Sequence, residues 1–95
     1  MNAVTPPTSV GAAFDHLLRW LAPAPVEAEA AFISLRLRLI RFFESQACPL
    51  AEDCADDTLQ RVAHKIAAGV EVQVSDPYLY ARGFARLILQ EQWRK

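Results

Sequence analysis

The positions of the prolines constrain this sequence most, because they divide it into stretches that each carry apolar residues at helical spacing. Proline cannot continue a helix, although it fits the first turn of one. The prolines that separate these stretches are Pro23, Pro25, Pro49 and Pro77. We therefore predict an all-α fold, a compact bundle of about four helices in one domain over residues 9–95, after a flexible lead-in over residues 1–8.

Each predicted helix has its own limits in the sequence. The first begins at a cap on Thr8 or Ser9, and the second spans about Val26 to Gln46. The third covers Glu52 to Ala68, and the fourth runs from Pro77 nearly to Lys95. These limits leave only short connections between neighbouring helices.

The middle of the second helix is the main local ambiguity, since residues 35–39 read Leu-Arg-Leu-Arg-Leu and alternate like a strand. A wider window favours a helix, because its apolar positions keep helical spacing and a strand of that length would be atypical. These positions are Phe32, Leu35, Leu39 and Phe42. We expect the third and fourth helices to pack on this stripe through Leu59, Val62, Ile66, Phe84 and Ile88.

The connection before the fourth helix carries clear signals at both ends. Gly69 follows the third helix, where a left-handed C-cap is expected. Residues 70–74 alternate valine with polar residues, and we predict a loop because no other segment has a comparable pairing pattern. Ser75 or Asp76 can cap the fourth helix, whose first turn accepts Pro77.

The composition is that of a folded domain, with 53% hydrophobic and 22% charged residues and a net charge of −1. It lacks the strong basic excess that often marks proteins coating nucleic acid. The charges are nevertheless polarised along the chain. The acidic group is Glu52, Asp53, Asp56 and Asp57, and the basic group is Arg82, Arg86, Arg94 and Lys95.

The sequence does not have the pattern of a secreted or membrane-spanning protein. The two cysteines, Cys48 and Cys54, are too few for a disulfide framework, and no basic region with an apolar run follows Met1. Charged residues interrupt every apolar stretch before it reaches the roughly 20 residues that a spanning helix needs. We predict a cytoplasmic protein that does not insert into a membrane.

Two segments carry a family likeness. Residues 51–63 read AEDCADDTLQRVA and resemble the "AEDLVQETFLRAW" helix of bacterial RNA polymerase sigma factors of the extracytoplasmic-function type. Residues 80–95 read YARGFARLILQEQWRK and are similar, without a gap, to the "WLYRIARNLAIDYLRR" helix of the same family. The resemblance covers about residues 12–95, which correspond to the region 2 domain.

The resemblance implies a transcription initiation factor domain with two binding surfaces. In the family, the first of these helices docks on the coiled coil of the largest catalytic subunit of core RNA polymerase. The corresponding residues are Asp53, Asp56, Asp57, Gln60 and Arg61. The second helix, with the loop before it, recognises and melts the promoter −10 element and prefers single-stranded DNA. The corresponding residues are Glu71, Gln73, Ser75, Tyr78, Tyr80, Arg82, Arg86, Arg94 and Lys95.

The resemblance also implies an anti-sigma factor as a further partner. This sequence nevertheless differs from the family at several positions. Tyr80 and Ala63 stand where the family has tryptophan, and Leu87 stands where it has asparagine. The family's second DNA-binding domain, which reads the −35 element, has no counterpart here. The chain is therefore expected to be either a natural stand-alone domain or a fragment of a longer factor.

Each group of residues also has a plainer interpretation. Carboxylates at a helix start are stabilised by the helix dipole by about 0.3 to 1 kcal/mol each. Tyr80 and Phe84 fit a core role better than base stacking, and the basic residues could form a merely solvated face. The alternative function is accordingly a helical protein-interaction module that binds polymerase or a regulator without engaging DNA.

We predict neither a metal site nor an enzyme. The five residues between Cys48 and Cys54 fit structural zinc badly, and a buried thiol is the simpler account of Cys54. No phosphate-binding glycine loop, nucleophile elbow or zinc-protease helix is present, and nearby carboxylates would raise the pKa of either thiol. No cofactor is expected.

Overall fold

The computed structural model describes residues 10–69 and 76–94, with side chains described from Ala13 onwards. These residues form four helices and no strand: α1 (Val10–Leu21), α2 (Pro25–Ser45), α3 (Ala51–Ala67) and α4 (Pro77–Trp93). The predicted all-α bundle of about four helices is confirmed, and the three fully described helices begin and end within about two residues of the predicted limits. Within these ranges, every helix is too short or too polar to cross a lipid bilayer.

Residues 35–39 lie in the middle of α2, so the helical interpretation of this segment is confirmed. Pro25 occupies the first turn, where its missing N–H is not needed. Leu35, Leu39 and Phe43 are buried on one side of the helix, while the intervening arginines lie around it. Burial at helical spacing thus outweighs the local alternation.

Two residues with positive φ shape the turns that follow α2 and α3. Ala47 has φ 58° between α2 and α3, where the Cys48 N–H donates to the Phe43 carbonyl at 3.0 Å. Gly69 has φ 86°, and its N–H donates to the Ile66 carbonyl at 3.0 Å. The left-handed glycine predicted after α3 is confirmed.

The core lies where α2 and α3 meet, and each of these helices contacts the other three. α3 and α4 both pack on α2 as predicted, and α1 packs on α3 as well, which the sequence pattern did not indicate. The largest fully buried side chains are Phe43, Leu17, Leu39, Leu59, Ile88, Val62 and Thr58. Thr58 satisfies its hydroxyl by donating to the Cys54 carbonyl at 2.7 Å.

Some residues that were predicted to lie in the core are only partly buried at its edge. Phe42, Ile66 and Phe84 are only half-buried, whereas Phe43 is fully buried. Both faces of α2 are rich in apolar residues, so periodicity alone does not decide which of two adjacent phenylalanines points inward. The predicted lead-in, the predicted cap on Thr8 or Ser9 and the predicted loop at 70–74 lie outside the described residues.

Candidate docking groove and nucleic-acid interface

A groove with an apolar floor and an acidic rim lies where α1, α2 and α3 meet, and its volume is about 460 Å³. We call it the acidic groove. Its floor comprises Ala13, Phe14, Phe32, Leu59 and Ala63, and its rim comprises Asp53, Asp56, Asp57, Gln60 and His64. Four of the five predicted polymerase-binding residues therefore line one concave surface.

Close packing forms the floor of the acidic groove. Phe14 of α1 and Phe32 of α2 meet edge to face, with ring centroids 4.8 Å apart. Leu59 and Ala63 are buried behind them on α3, one turn apart. Aromatic pairs in this geometry add about 0.5 to 1.5 kcal/mol beyond their buried area, which favours a pre-formed groove.

The carboxylates on the rim differ in what they bind. Asp56 accepts two hydrogen bonds from Arg36 of α2, from Nε at 2.7 Å and Nη2 at 3.2 Å. This pairing raises the pKa of Arg36 and ties α2 to α3. Asp53 and Gln60 are exposed, and no hydrogen bond or ion pair engages either side chain within the described part of the chain. These two residues, like the exposed His64, are rim groups open to a partner.

Arg61, another of the predicted polymerase-binding residues, forms ion pairs with Glu91 and Asp57. Its guanidinium donates to both carboxylate oxygens of Glu91 on α4, at 3.0 and 2.8 Å, and to Asp57 at 3.5 Å. The bond to Glu91 is the main cause of the raised pKa of Arg61. Arg61 thus joins α3 to α4 and lies outside the acidic groove, whose lining does not include it.

The outward face of α4 carries basic and apolar side chains together. Arg82 and Arg86 are one turn apart, and Trp93 follows Arg86 by two turns on the same side. Trp93 is 64% exposed and Leu79 is 51% exposed. No ion pair engages Arg86 or Arg94 within the described residues, so both guanidiniums are open to an anion.

The two tyrosines at the start of α4 have separate surroundings. Tyr80 is half-buried and meets Trp20 and Phe84 edge to face, at centroid distances of 5.8 and 5.3 Å. Tyr78 lies under Arg38 of α2, whose guanidinium carbon is 4.2 Å from the ring centroid, and Arg82 lies at 6.0 Å. Tyr80 therefore packs internally, whereas Tyr78 already has a cationic partner.

Arg38 also fixes the beginning of α4. Its guanidinium donates to both oxygens of Asp76, at 3.3 and 3.2 Å. Asp76 caps the helix by accepting from the Tyr78 N–H at 3.0 Å, and the bond from Arg38 is the first cause of its lowered pKa. The predicted cap on Asp76 is confirmed, while Ser75 lies outside the described residues.

The structure describes only one of the remaining DNA-binding candidates. Glu71, Gln73, Ser75 and Lys95 lie outside the described residues, and Arg94 is exposed at the end of α4. Sequence reasoning missed Arg38, because nothing in the local pattern reveals a contact across 38 positions. It also did not include Trp93 among the DNA-binding residues, although the seven-residue spacing of Trp93 from Arg86 places both on the outward face.

The two cysteines are buried neighbours, with Cys48 in the connection between α2 and α3 and Cys54 in the first turn of α3. Their Sγ atoms are 3.5 Å apart. Burial is the main cause that raises the pKa of Cys54 to about 11, and Cys48, Asp57 and Asp53 add to it. A thiol with such a pKa is a poor nucleophile near neutral pH. In the described part of the chain, no three His, Cys, Asp or Glu side chains come together as a metal-binding group.

The structure thus presents an acidic groove on one surface and an open basic-aromatic face on another, joined through the Arg61–Glu91 pair. The first can hold an apolar helix with basic flanks, and the second can hold an anionic chain with stacking groups. No protein-family model, curated protein or solved structure matches this chain.

Proposed function

We propose that this protein is a transcription initiation factor domain that docks on core RNA polymerase through the acidic groove and engages the single-stranded promoter −10 element through α4. The observation that carries the proposal is the acidic groove itself, whose rim belongs to α3, and the sequence of α3 resembles the docking helix of sigma factors. The partner surface is the coiled coil of the polymerase's largest catalytic subunit.

The chemistry of the acidic groove supports a helical partner. An amphipathic helix binds in a groove through apolar anchors on one face, and charges at the rim select and orient it. Here Phe14, Phe32 and Leu59 offer the apolar contact, and Asp53 with Gln60 offers open polar groups. Asp56 and Asp57 contribute negative field, although their arginine partners reduce it.

The docking test compares charge reversals inside and outside the acidic groove. Asp53→Arg and Gln60→Arg should each weaken binding to core RNA polymerase by about tenfold or more, because each brings a cation to a rim that selects basic partners. Asp15→Arg is the matched control, since Asp15 is equally exposed on α1 but lines a different surface. Fluorescence anisotropy of the labelled protein with core polymerase gives the affinities.

A loss of binding can be assigned to the acidic groove, because these variants leave the ion pairs between the helices intact. Asp53 and Gln60 take no part in the pairs that join the helices, so circular dichroism should show an unchanged helical content. Equal affinities for Asp53→Arg, Gln60→Arg and Asp15→Arg would remove docking from the acidic groove.

The outward face of α4 supports the DNA part of the proposal. Arginines on that face neutralise phosphates, and an exposed aromatic residue can stack on an unpaired base for about 1 to 3 kcal/mol. Arg86 and Trp93 combine these groups on one side of the helix. The sequence between α3 and α4 contains Glu71, Gln73 and Ser75, the base-reading residues that the family resemblance predicts.

The DNA test uses a premelted promoter with core polymerase, because an already opened −10 element removes the cost of flipping a base. Arg86→Ala should weaken binding to every strand sequence alike and reduce the salt dependence by about one phosphate. Gln73→Ala or Ser75→Ala should change base preference instead. Arg19→Ala on α1 is the matched control for a lost surface arginine.

The second candidate function is a protein-interaction module that binds polymerase or a regulator such as an anti-sigma factor without engaging DNA. The observation that favours it is the replacement of the family's asparagine by Leu87, which is 52% exposed on α4. Normal binding to core polymerase without any binding to premelted −10 DNA would establish this candidate and exclude the promoter-binding one.

A further inference from the structure

The outward face of α2 carries an apolar stripe that no other helix of the described chain covers. Val26 is 80% exposed, Ile33 is 59% exposed and Leu37 is 46% exposed, and Ala30 lies exposed between them. We call these four residues the α2 stripe. Three exposed aliphatic side chains in one row form a surface that gains free energy when it leaves water.

The spacing of the α2 stripe is that of a seam between two helices. Its members are separated by four, three and four residues, which is the repeat that keeps a row of side chains facing one partner helix. A partner that binds through a loop or a flat β-sheet would not require this repeat. The geometry therefore indicates a second helix lying along α2.

Charged residues beside the α2 stripe indicate which partner helix is complementary to it. Glu27, Ser34 and Arg41 are seven residues apart and exposed, so they form one flank of the stripe. No ion pair engages Glu27 or Arg41 within the described residues. If a second copy of α2 lies antiparallel about a two-fold axis level with Ser34, each Glu27 comes level with Arg41 of the other copy.

A parallel arrangement lacks this complementarity. In a parallel pair, a flanking residue lies beside the residue five positions further on in the other helix. Arg41 of one copy would then lie beside Arg36 of the other, which is already bound to Asp56, so Arg41 would gain no acidic partner. Charge thus favours the antiparallel pair, with two Glu27–Arg41 contacts related by symmetry.

We propose that a second copy of this chain covers the α2 stripe, forming an antiparallel, two-fold symmetric dimer. Leu37 of each copy packs between Ala30 and Ile33 of the other. This inference goes beyond the proposed function, because it involves neither polymerase nor DNA. The contact extends about 21 Å along the helix between Glu27 and Arg41. One helix pair of that length is a small interface, so the dimer is weak and depends on concentration.

The test is a set of charge reversals measured by sedimentation velocity over a range of protein concentrations. Glu27→Arg and Arg41→Glu should each raise the dimer dissociation constant about tenfold or more, because each places like charges at both contacts. The double variant carrying both changes restores opposite charges and should dimerise like the original protein. A mixture of the two single variants should form heterodimers, because both contacts between the two different chains then pair an arginine with a glutamate.

Two further variants keep the result interpretable. Leu37→Asp should abolish dimerisation with unchanged helical content by circular dichroism, and Lys65→Glu on α3 is a matched reversal that should leave it unchanged. The proposal is overturned if the original protein stays monomeric at protein concentrations up to about 1 mM. It is equally overturned if the single variants dimerise as well as the original protein, or if their mixture forms no heterodimer.

Discussion

Asp76 serves two contacts at once at the start of α4. Its carboxylate accepts from the Tyr78 N–H and from Arg38, so one side chain both caps a helix and ties that helix to α2. The cap was predictable from the residues Ser-Asp-Pro, because capping depends on neighbours along the chain. The contact with Arg38 was not, because it depends on how two helices pack.

The two contacts can be separated by substitution. Asp76→Asn keeps a capping oxygen and loses the charge, so it should cost less than about 1 kcal/mol of unfolding free energy at neutral pH, whereas Asp76→Ala should cost about 1 to 2 kcal/mol. Because the pKa of Asp76 lies below its ordinary value of 3.8, its charge stabilises the fold above that pH and this contribution disappears as pH falls through the lowered pKa.

Urea unfolding measured at about pH 7 and about pH 3 checks both statements. The difference between the original protein and Asp76→Asn should shrink at the lower pH. If Asp76→Asn destabilises as much as Asp76→Ala at neutral pH, the charge and not the cap is the main contribution of this residue.

At the level of whole helices, sequence reasoning was strongest where proline and glycine mark the ends. α2 begins at Pro25 and α3 is followed by Gly69, both as the backbone chemistry of these residues requires. It was weaker for the face that each helix buries. Phe43 is fully buried and Phe42 is not, since an apolar residue at each position leaves the choice to tertiary packing.

At two glycines, backbone conformation and not the space available for a side chain should decide how substitution by alanine changes stability. A Cβ added at either Gly69 or Gly83 meets no atom within 4 Å. Gly83 lies inside α4, so Gly83→Ala should stabilise the protein by about 0.5 to 1 kcal/mol. Gly69 has φ 86°, so Gly69→Ala should destabilise it, by about 1 kcal/mol. Thermal or urea unfolding of both variants measures the opposite signs, and a shared sign would contradict the argument.

Across the whole molecule, part of the candidate site followed from the sequence and part did not. The family resemblance assigned Asp53, Asp57 and Gln60 to one docking surface, and all three line the acidic groove. Arg61 was assigned to that surface too, but it binds Glu91 across 30 positions. Ion pairs between helices depend on the register in which those helices pack, which the local pattern does not contain.

The same dependence on packing separates two leucines on α2 that look alike in sequence. Leu39 is fully buried, so Leu39→Ala removes core contacts and leaves a cavity, which should cost about 2 to 5 kcal/mol. That is a large share of the roughly 5 to 15 kcal/mol that a domain has. Leu37 is 46% exposed, so Leu37→Ala should change stability by only about 0.5 kcal/mol when measured at concentrations too low for self-association. Urea unfolding followed by circular dichroism compares the two, and similar losses would mean that α2 does not bury the face assigned to it.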